Sequence, residues 1–165
     1  MAPEKTVETL TTHSAMFGTI QLPEDQCLMF EQGLLGFSPN QRFAVLPAAP
    51  EGVYWLQGVD DGSLVFLAVD PHKFVNGYSF DPGKIEGPAP SIGVDAECAV
   101  LTIVTLPNRS GEKATANVQG PVFIDFKARR GWQLVLAESE FGTRFPVDLS
   151  LPQNDKPSSS GSKVR

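Results

Sequence analysis

Glycine and proline interrupt this chain so often that long helices are not expected in it. The 165 residues include 15 glycines and 14 prolines, and both residue types disfavour the interior of a helix. The apolar runs between them are short and rich in valine, isoleucine, phenylalanine and threonine, which is typical of β-strands. The pattern predicts strands near residues 17–22, 27–30, 42–46, 53–59, 64–69, 99–106, 114–118, 122–127 and 132–137.

Two pairs of these runs are separated by turn residues and predict β-hairpins. Residues 60–63, Asp-Asp-Gly-Ser, join the runs 53–59 and 64–69, and residues 128–131 join the runs 122–127 and 132–137. Asp70 followed by proline predicts a short helical turn with Asp70 as its N-cap. We therefore predict an all-β fold class, a small antiparallel β-barrel-like or sandwich domain with short helical turns. Six side chains of the second hairpin are expected in the core: Val122, Ile124, Phe126, Trp132, Leu134 and Leu136.

The predicted domain occupies the middle of the chain. Residues 1–14 lack apolar periodicity, and residues 152–165 are rich in serine, proline and lysine with one aliphatic residue. Such segments bury too little apolar surface to offset the entropy of ordering them. We therefore expect a disordered N-terminal arm over residues 1–14, a β-domain over residues 15–151 and a disordered tail over residues 152–165.

The net charge of the chain narrows the kinds of partner that it can bind. The net charge is −6, from 19 acidic and 13 basic residues, and an acidic surface repels nucleic-acid phosphates while it suits a basic protein. Direct binding of nucleic acid is therefore not expected.

Cys27 and Cys98 are expected to be reduced core thiols. The first 14 residues lack the apolar segment of a signal peptide and no run is long enough to span a membrane, which favours the cytoplasm.

Few residues offer catalytic or metal-binding chemistry. The two histidines, His13 and His72, have no partner at the spacing of a zinc site, so no metal is expected. The chain lacks a nucleophile elbow, a phosphate-binding loop and a dinucleotide fingerprint. Most aspartates near the predicted turns neighbour glycine or proline, where turn and cap roles are common. The residues alone predict a binding module that is not an enzyme and has no cofactor.

In four stretches taken together, the chain resembles the FliW family of flagellar assembly factors. These stretches are residues 17–20, residues 30–37 (Phe-Glu-Gln-Gly-Leu-Leu-Gly-Phe), residues 54–71 and residues 103–124. Residues 129–133 and Thr-Arg-Phe-Pro at 143–146 also fit. The sequence departs from the family pattern at two positions. One is Gln32, and the other is Phe145, which stands where the family commonly has histidine. The resemblance covers roughly residues 16–147 in unbroken order.

The resemblance implies a β-barrel-like fold and two protein partners. The family binds the basic translational regulator CsrA, which it antagonises, and the C-terminal region of flagellin. Binding of flagellin would then release the regulator to repress flagellin translation. Two alternatives remain open: a general flagellin export chaperone without regulator binding, and a split-barrel flavin-dependent enzyme.

Five residues are candidates for contact with these partners. Asp60, Asp61 and Asp70 are chosen for the basic partner because acids are dense on predicted loops beside a family motif. Phe37 and Asn117 belong to the family-like stretches. Phe37 and Trp55 are, however, first expected in the core, since large aromatic side chains are usually buried.

Overall fold

The computed structural model describes residues 7–87, 97–137 and 140–150. Over these ranges the main elements are a short helix, α1 (Pro71–Phe74), and 11 strands. The strands are β1 (Thr9–Ser14), β2 (Gly18–Pro23), β3 (Leu28–Phe30), β4 (Gln41–Pro47), β5 (Val53–Gly58), β6 (Val65–Val69), β7 (Cys98–Thr105), β8 (Ala114–Ala116), β9 (Val122–Asp125), β10 (Arg130–Gln133) and β11 (Phe145–Val147).

Seven of the strands close into a barrel. Their order is β7-β6-β5-β4-β3-β10-β9, and β9 pairs back onto β7. All of these pairs are antiparallel except β3 with β10, which run parallel through Met29 and Arg130. Strands β8 and β11 extend the sheet from β7 outside the ring. The predicted all-β, barrel-like fold class is confirmed.

The barrel wall is buried on both faces. Its interior holds the buried side chains of Leu28, Phe30, Leu34, Phe43, Leu56, Ala68, Leu101, Val122 and Ile124. Outside the wall, the β1–β2 hairpin covers Ala44 of β4 with Leu22. A second outer cluster packs α1, β8 and β11 against β5 to β7. Alternate residues of a strand point to opposite faces, so a wall covered on both sides needs nearly continuous apolar runs such as Val-Phe-Leu-Ala-Val in β6.

The predicted disordered arm is wrong over residues 9–14, which form β1 and pair with β2. This strand was missed because it is polar, Thr-Leu-Thr-Thr-His-Ser, although two of its polar side chains are buried. The Thr12 hydroxyl donates to the Val59 carbonyl at 3.2 Å, and the Ser14 hydroxyl donates to Gln57 Oε1 at 2.7 Å. Hydrogen bonds therefore replace the apolar periodicity on which the prediction relied. Residues 1–6 and the predicted tail, 152–165, lie outside the described residues.

The second predicted hairpin is present with a shifted turn. Strand β10 begins at Arg130, and the turn occupies residues 126–129 instead of 128–131. Asp125 Oδ1 accepts from the Ala128 amide at 3.0 Å, and Arg129 takes the left-handed conformation with φ of 58°. Phe126 and Trp132 are consequently only half-buried, so they were wrongly assigned to the full core.

The parallel seam between β3 and β10 contains a close approach of the β10 backbone to an aromatic ring. The Phe30 ring is fully buried and packs edge-on against Phe43, with ring centroids 5.2 Å apart. A Cβ atom added at Gly131 would lie 2.2 Å from Phe30 Cζ. Only glycine therefore lets β10 pass this close to the Phe30 ring.

We predict that Gly131→Ala lowers the free energy of unfolding by about 1–3 kcal/mol, the usual cost of overpacking a core. Urea denaturation with far-UV circular dichroism measures the change. Gly83→Ala is the matched control, because an added Cβ there meets only Asp81 Oδ1, at 3.2 Å, and the position is exposed. Equal stabilities for the two variants would contradict the described seam.

Candidate functional site

The strand registers define two ends of the barrel. At one end, β3 stops at Phe30 opposite the start of β4, and β5 stops at Gly58 near the start of β6. This end, which we call the Phe37 end, carries the 31–40 loop and the 59–64 turn. At the other, the Pro47 end, Pro47 of β4 pairs with Tyr54 of β5. Functional side chains held by the loops of one end can face a single partner.

The 31–40 loop is held in one conformation by its own sequence. Gly33 and Gly36 adopt φ angles of 71° and 87°, which favour glycine. Between them Leu34 is buried in the barrel core and anchors the loop. The Phe37 amide donates to the Leu34 carbonyl at 2.8 Å, and the Asn40 amide donates to the Glu31 carbonyl at 3.0 Å. Residues 33–37 therefore form an ordered turn within this loop.

This anchored loop presents two large apolar side chains to solvent. Leu35 is 56% exposed and Phe37 is 45% exposed. The Phe37 ring packs edge-on against Phe66 at the start of β6, with centroids 5.1 Å apart. The expectation that Phe37 lies in the core is therefore wrong, because Leu34 fills that position instead. An exposed aromatic ring held by a second ring is well suited to bury apolar surface of a partner.

The Asp60–Asp61 turn lies at the same end, and its two carboxylates do different things. Asp60 accepts from the Arg42 amide at 2.8 Å and from Arg42 Nη2 at 2.6 Å. The hydrogen bond from Arg42 lowers the pKa of Asp60. Asp61 Oδ1 accepts from the Ser63 hydroxyl at 2.6 Å, which lowers the pKa of Asp61, and its carboxylate is exposed. Asp60 therefore holds the start of β4, while Asp61 offers a negative charge to solvent.

A chain of side-chain amides connects the 31–40 loop to Asn117. The Leu35 amide donates to Gln133 Oε1 at 2.8 Å, and Gln133 Nε2 donates to the Gly120 carbonyl at 2.9 Å. The Gly120 amide in turn donates to Asn117 Oδ1 at 2.9 Å. Phe37 and Asn117, which are 80 residues apart in sequence, are thus parts of one surface. Sequence reasoning missed Gln133 and Leu35, and only the Arg-x-Gly-x-Gln stretch of the FliW resemblance pointed toward Gln133.

Asp70 and Trp55 lie away from the Phe37 end. Asp70 follows β6 at the Pro47 end and is 1% exposed. As predicted, it caps α1, accepting from the His72 amide at 3.0 Å. Its burial leaves it unavailable to a partner in this structure. Trp55 is half-buried on the outer wall beneath Phe17, with centroids 5.9 Å apart.

The Pro47 end contains an apolar cavity. Its volume is about 230 Å³, and its lining residues are Val45, Pro47, Tyr54, Ala99, Leu101 and Phe126. Of the two cysteines, Cys27 is buried and Cys98 is half-buried. Across residues 7–87, 97–137 and 140–150, no three His, Cys, Asp or Glu side chains come close enough to hold a metal ion. In the same ranges no helix has both the length and the apolar character needed to cross a membrane.

The molecule is a closed β-barrel whose Phe37 end carries apolar, amide and acidic side chains, and comparisons with known proteins identify its family. The family described as "FliW protein" matches residues 11–147. The chain therefore belongs to the FliW family.

Relatives and a solved structure agree with this assignment. The chain is 34% identical over 135 residues to the flagellar assembly factor FliW of Natranaerobius thermophilus, covering 81% of this chain and 89% of the relative. It is 30% identical to the protein of that name from Bacillus subtilis, covering 82% and 94%. A crystal structure of the flagellar assembly factor FliW has a TM-score of 0.67 at 24% identity and covers 84% of this chain and 96% of that one. That structure supports the fold.

The Asp60–Arg42 pair makes stability depend on pH. Because the folded-state pKa of Asp60 lies below the ordinary value of 3.8, the pair stabilises the fold above that value and loses its contribution as pH falls through the folded pKa. We predict that Asp60→Asn lowers the free energy of unfolding by about 1 kcal/mol near neutral pH, a modest change because the pair is partly exposed. The difference from the wild type should shrink in acid. A difference in urea unfolding that stays constant down to acid unfolding would contradict this assignment.

Proposed function

We propose that this chain is a flagellar assembly factor that binds proteins in the cytoplasm and is not an enzyme. Its partners are the translational regulator CsrA, which it antagonises, and the C-terminal region of flagellin. The names of its relatives support the flagellar role. The observation that carries the proposal of a binding role is that exposed Phe37, the Asp60–Asp61 turn and the side-chain amide of Gln133 lie at the same end of the barrel.

The charge at the Phe37 end favours a basic partner. Asp61 is exposed, and the hydrogen bonds from Ser63 keep it ionised. With a net charge of −6, the protein attracts a basic regulator at a distance, and Asp61 adds a local contact. Asp60 contributes indirectly, because its carboxylate is already paired with Arg42. Asp61 is therefore the stronger candidate of the two for direct contact with the regulator.

Apolar burial supplies the affinity that surface charge does not. Leu35 and Phe37 are exposed neighbours on a loop already fixed by Leu34 and Gln133. A fixed loop loses little conformational entropy on binding. The amphipathic C-terminal segment of flagellin can cover the same two side chains with its apolar face. Two partners that both cover Phe37 exclude each other, which is the exclusion that a switch between regulator and flagellin requires.

Calorimetric titration of the purified protein with CsrA, repeated in excess flagellin C-terminal peptide, tests the proposal. We expect heat of binding in the first titration and its suppression in the second. Binding of the regulator that flagellin leaves untouched would contradict exclusion. Binding of flagellin alone would favour an export chaperone, and no binding of either by the folded protein would overturn the proposal.

Phe37→Ala should lower the affinity for each of the two partners about tenfold, because truncating a central aromatic contact commonly costs more than 1 kcal/mol of binding free energy. Phe17→Ala is the matched control. Phe17 is 42% exposed, close to the value for Phe37, but lies over Trp55 on the outer wall. Calorimetry should show unchanged affinities for this control. Equal losses for the two variants would remove Phe37 from the proposed contact.

Asp61→Lys should weaken binding of the regulator and leave flagellin binding unchanged, since it reverses one exposed charge and spares the Arg42–Asp60 pair. The loss should arise mainly in the association rate and diminish at high salt. Stopped-flow association at two ionic strengths measures both effects. An association rate equal to that of the wild type at low salt would exclude Asp61 from regulator recognition.

A further inference from the structure

We propose that Asn117 and Gln133 form a binding site for the main-chain carbonyl of an apolar peptide segment. This inference rests on the proposed function, because it assigns chemistry to the part of the Phe37 end that would bind a peptide partner. It starts from the orientation of the two side-chain amides. Asn117 Oδ1 accepts from the Gly120 amide at 2.9 Å, and Gln133 Oε1 accepts from the Leu35 amide at 2.8 Å. Both oxygens are therefore used within the protein.

The two amide nitrogens retain donor capacity. An amide nitrogen carries two N–H groups. Asn117 is half-buried, and its Nδ2 donates to no partner among the described residues. Gln133 Nε2 uses one N–H for the Gly120 carbonyl at 2.9 Å and has no second partner in the described ranges. Three N–H donors therefore remain available on two side chains.

Gly120 allows the two nitrogens to converge. A Cβ atom added at this glycine would lie 2.9 Å from Asn117 Nδ2 and 3.3 Å from Gln133 Nε2. A larger residue would push the two amides apart. A carbonyl oxygen has two lone pairs and can accept from two converging donors. The arrangement therefore matches an oxygen acceptor.

The surroundings select an uncharged peptide. Leu35, whose amide donates to Gln133, is 56% exposed, and Phe37 continues the same loop. Val135, two residues beyond Gln133, is 36% exposed. The net charge of −6 disfavours a free carboxylate. Since Gln133 also holds Leu35 in place, a carbonyl bound at the amide pair sets the register of a peptide whose apolar side chains meet Leu35 and Phe37. The occupant is thus an internal segment of a protein partner.

Nuclear magnetic resonance of the full chain tests this site directly through the side-chain N–H signals of Asn117 and Gln133. The probe is an acetylated and amidated Leu-Ala-Leu peptide, and acetyl-leucine with its free carboxylate is the comparison. We expect the capped peptide to shift both sets of signals saturably and acetyl-leucine to bind more weakly. Three results would overturn the proposal. The signals could stay in place while the capped peptide saturates the protein, the capped peptide could fail to bind, or acetyl-leucine could bind more tightly than the capped peptide.

Asn117→Asp provides the matched test, because the carboxylate still accepts from Gly120 but repels a carbonyl oxygen instead of donating to it. We expect affinity for the capped peptide to fall about tenfold. Asn40→Asp adds the same charge at an exposed position of the 31–40 loop whose φ of 57° aspartate tolerates, and affinity should be unchanged. Equal affinities for the two variants would overturn the proposal.

The amide signals and the binding of CsrA or flagellin, measured on the same protein, separate this inference from the proposed function. Regulator binding together with unmoved amide signals would leave the proposed function in place and remove the carbonyl site. Shifted amide signals in a protein that binds neither CsrA nor flagellin would establish the carbonyl site and remove the proposed function.

Discussion

The packing of the Phe30 ring over Gly131 is the contact on which the rest of this structure depends. It lies at the parallel seam where β3 meets β10 and closes the barrel. Parallel pairing over a single register position supplies few ladder hydrogen bonds, so side-chain packing has to stabilise the seam. Glu31 and Arg130, on the residues next to Phe30 and Gly131, add an ion pair across it. Because that pair is exposed, apolar packing contributes most of the stability there.

The position of the seam also fixes the candidate site. The 31–40 loop starts directly after Phe30, and Gln133 is two residues beyond Gly131. Closing the seam therefore brings the Leu35 amide to Gln133 Oε1. With Leu34 in the core and the Phe37 ring against Phe66, the loop is held at three points. A surface fixed in this way can expose apolar side chains without collapsing onto the barrel, and it is preordered for a partner.

The sequence predicted those parts of the fold that follow from local periodicity. All nine predicted strands are present within a few residues, and seven of them form the barrel wall, whose two buried faces require short but nearly continuous apolar runs. Strand β1 was missed because Thr12 and Ser14 are buried through hydrogen bonds, and β11 was missed because it is three residues long and contains Pro146. Closure through a parallel pair depends on contacts about 100 residues apart, for which local pattern gives no signal.

The candidate site was predictable in its residue types and less so in its geometry. The acidic turn and the glycine-rich loop are visible in the sequence, and the FliW resemblance joined them. That Asp60 is paired with Arg42, that Asp70 is buried and that Leu34 is in the core instead of Phe37 are consequences of tertiary packing. The amide chain through Gln133 likewise connects residues that periodicity treats as unrelated.

Hydrogen exchange with and without saturating CsrA tests whether partners bind at the Phe37 end. Peptide-resolved mass spectrometry reports both ends of the barrel in one experiment. We expect slower exchange over residues 31–40 and 59–64, with no change in the 48–52 turn at the Pro47 end. Protection confined to the 48–52 turn and the strands beside it, with residues 31–40 unaffected, would instead place the partner at the Pro47 end.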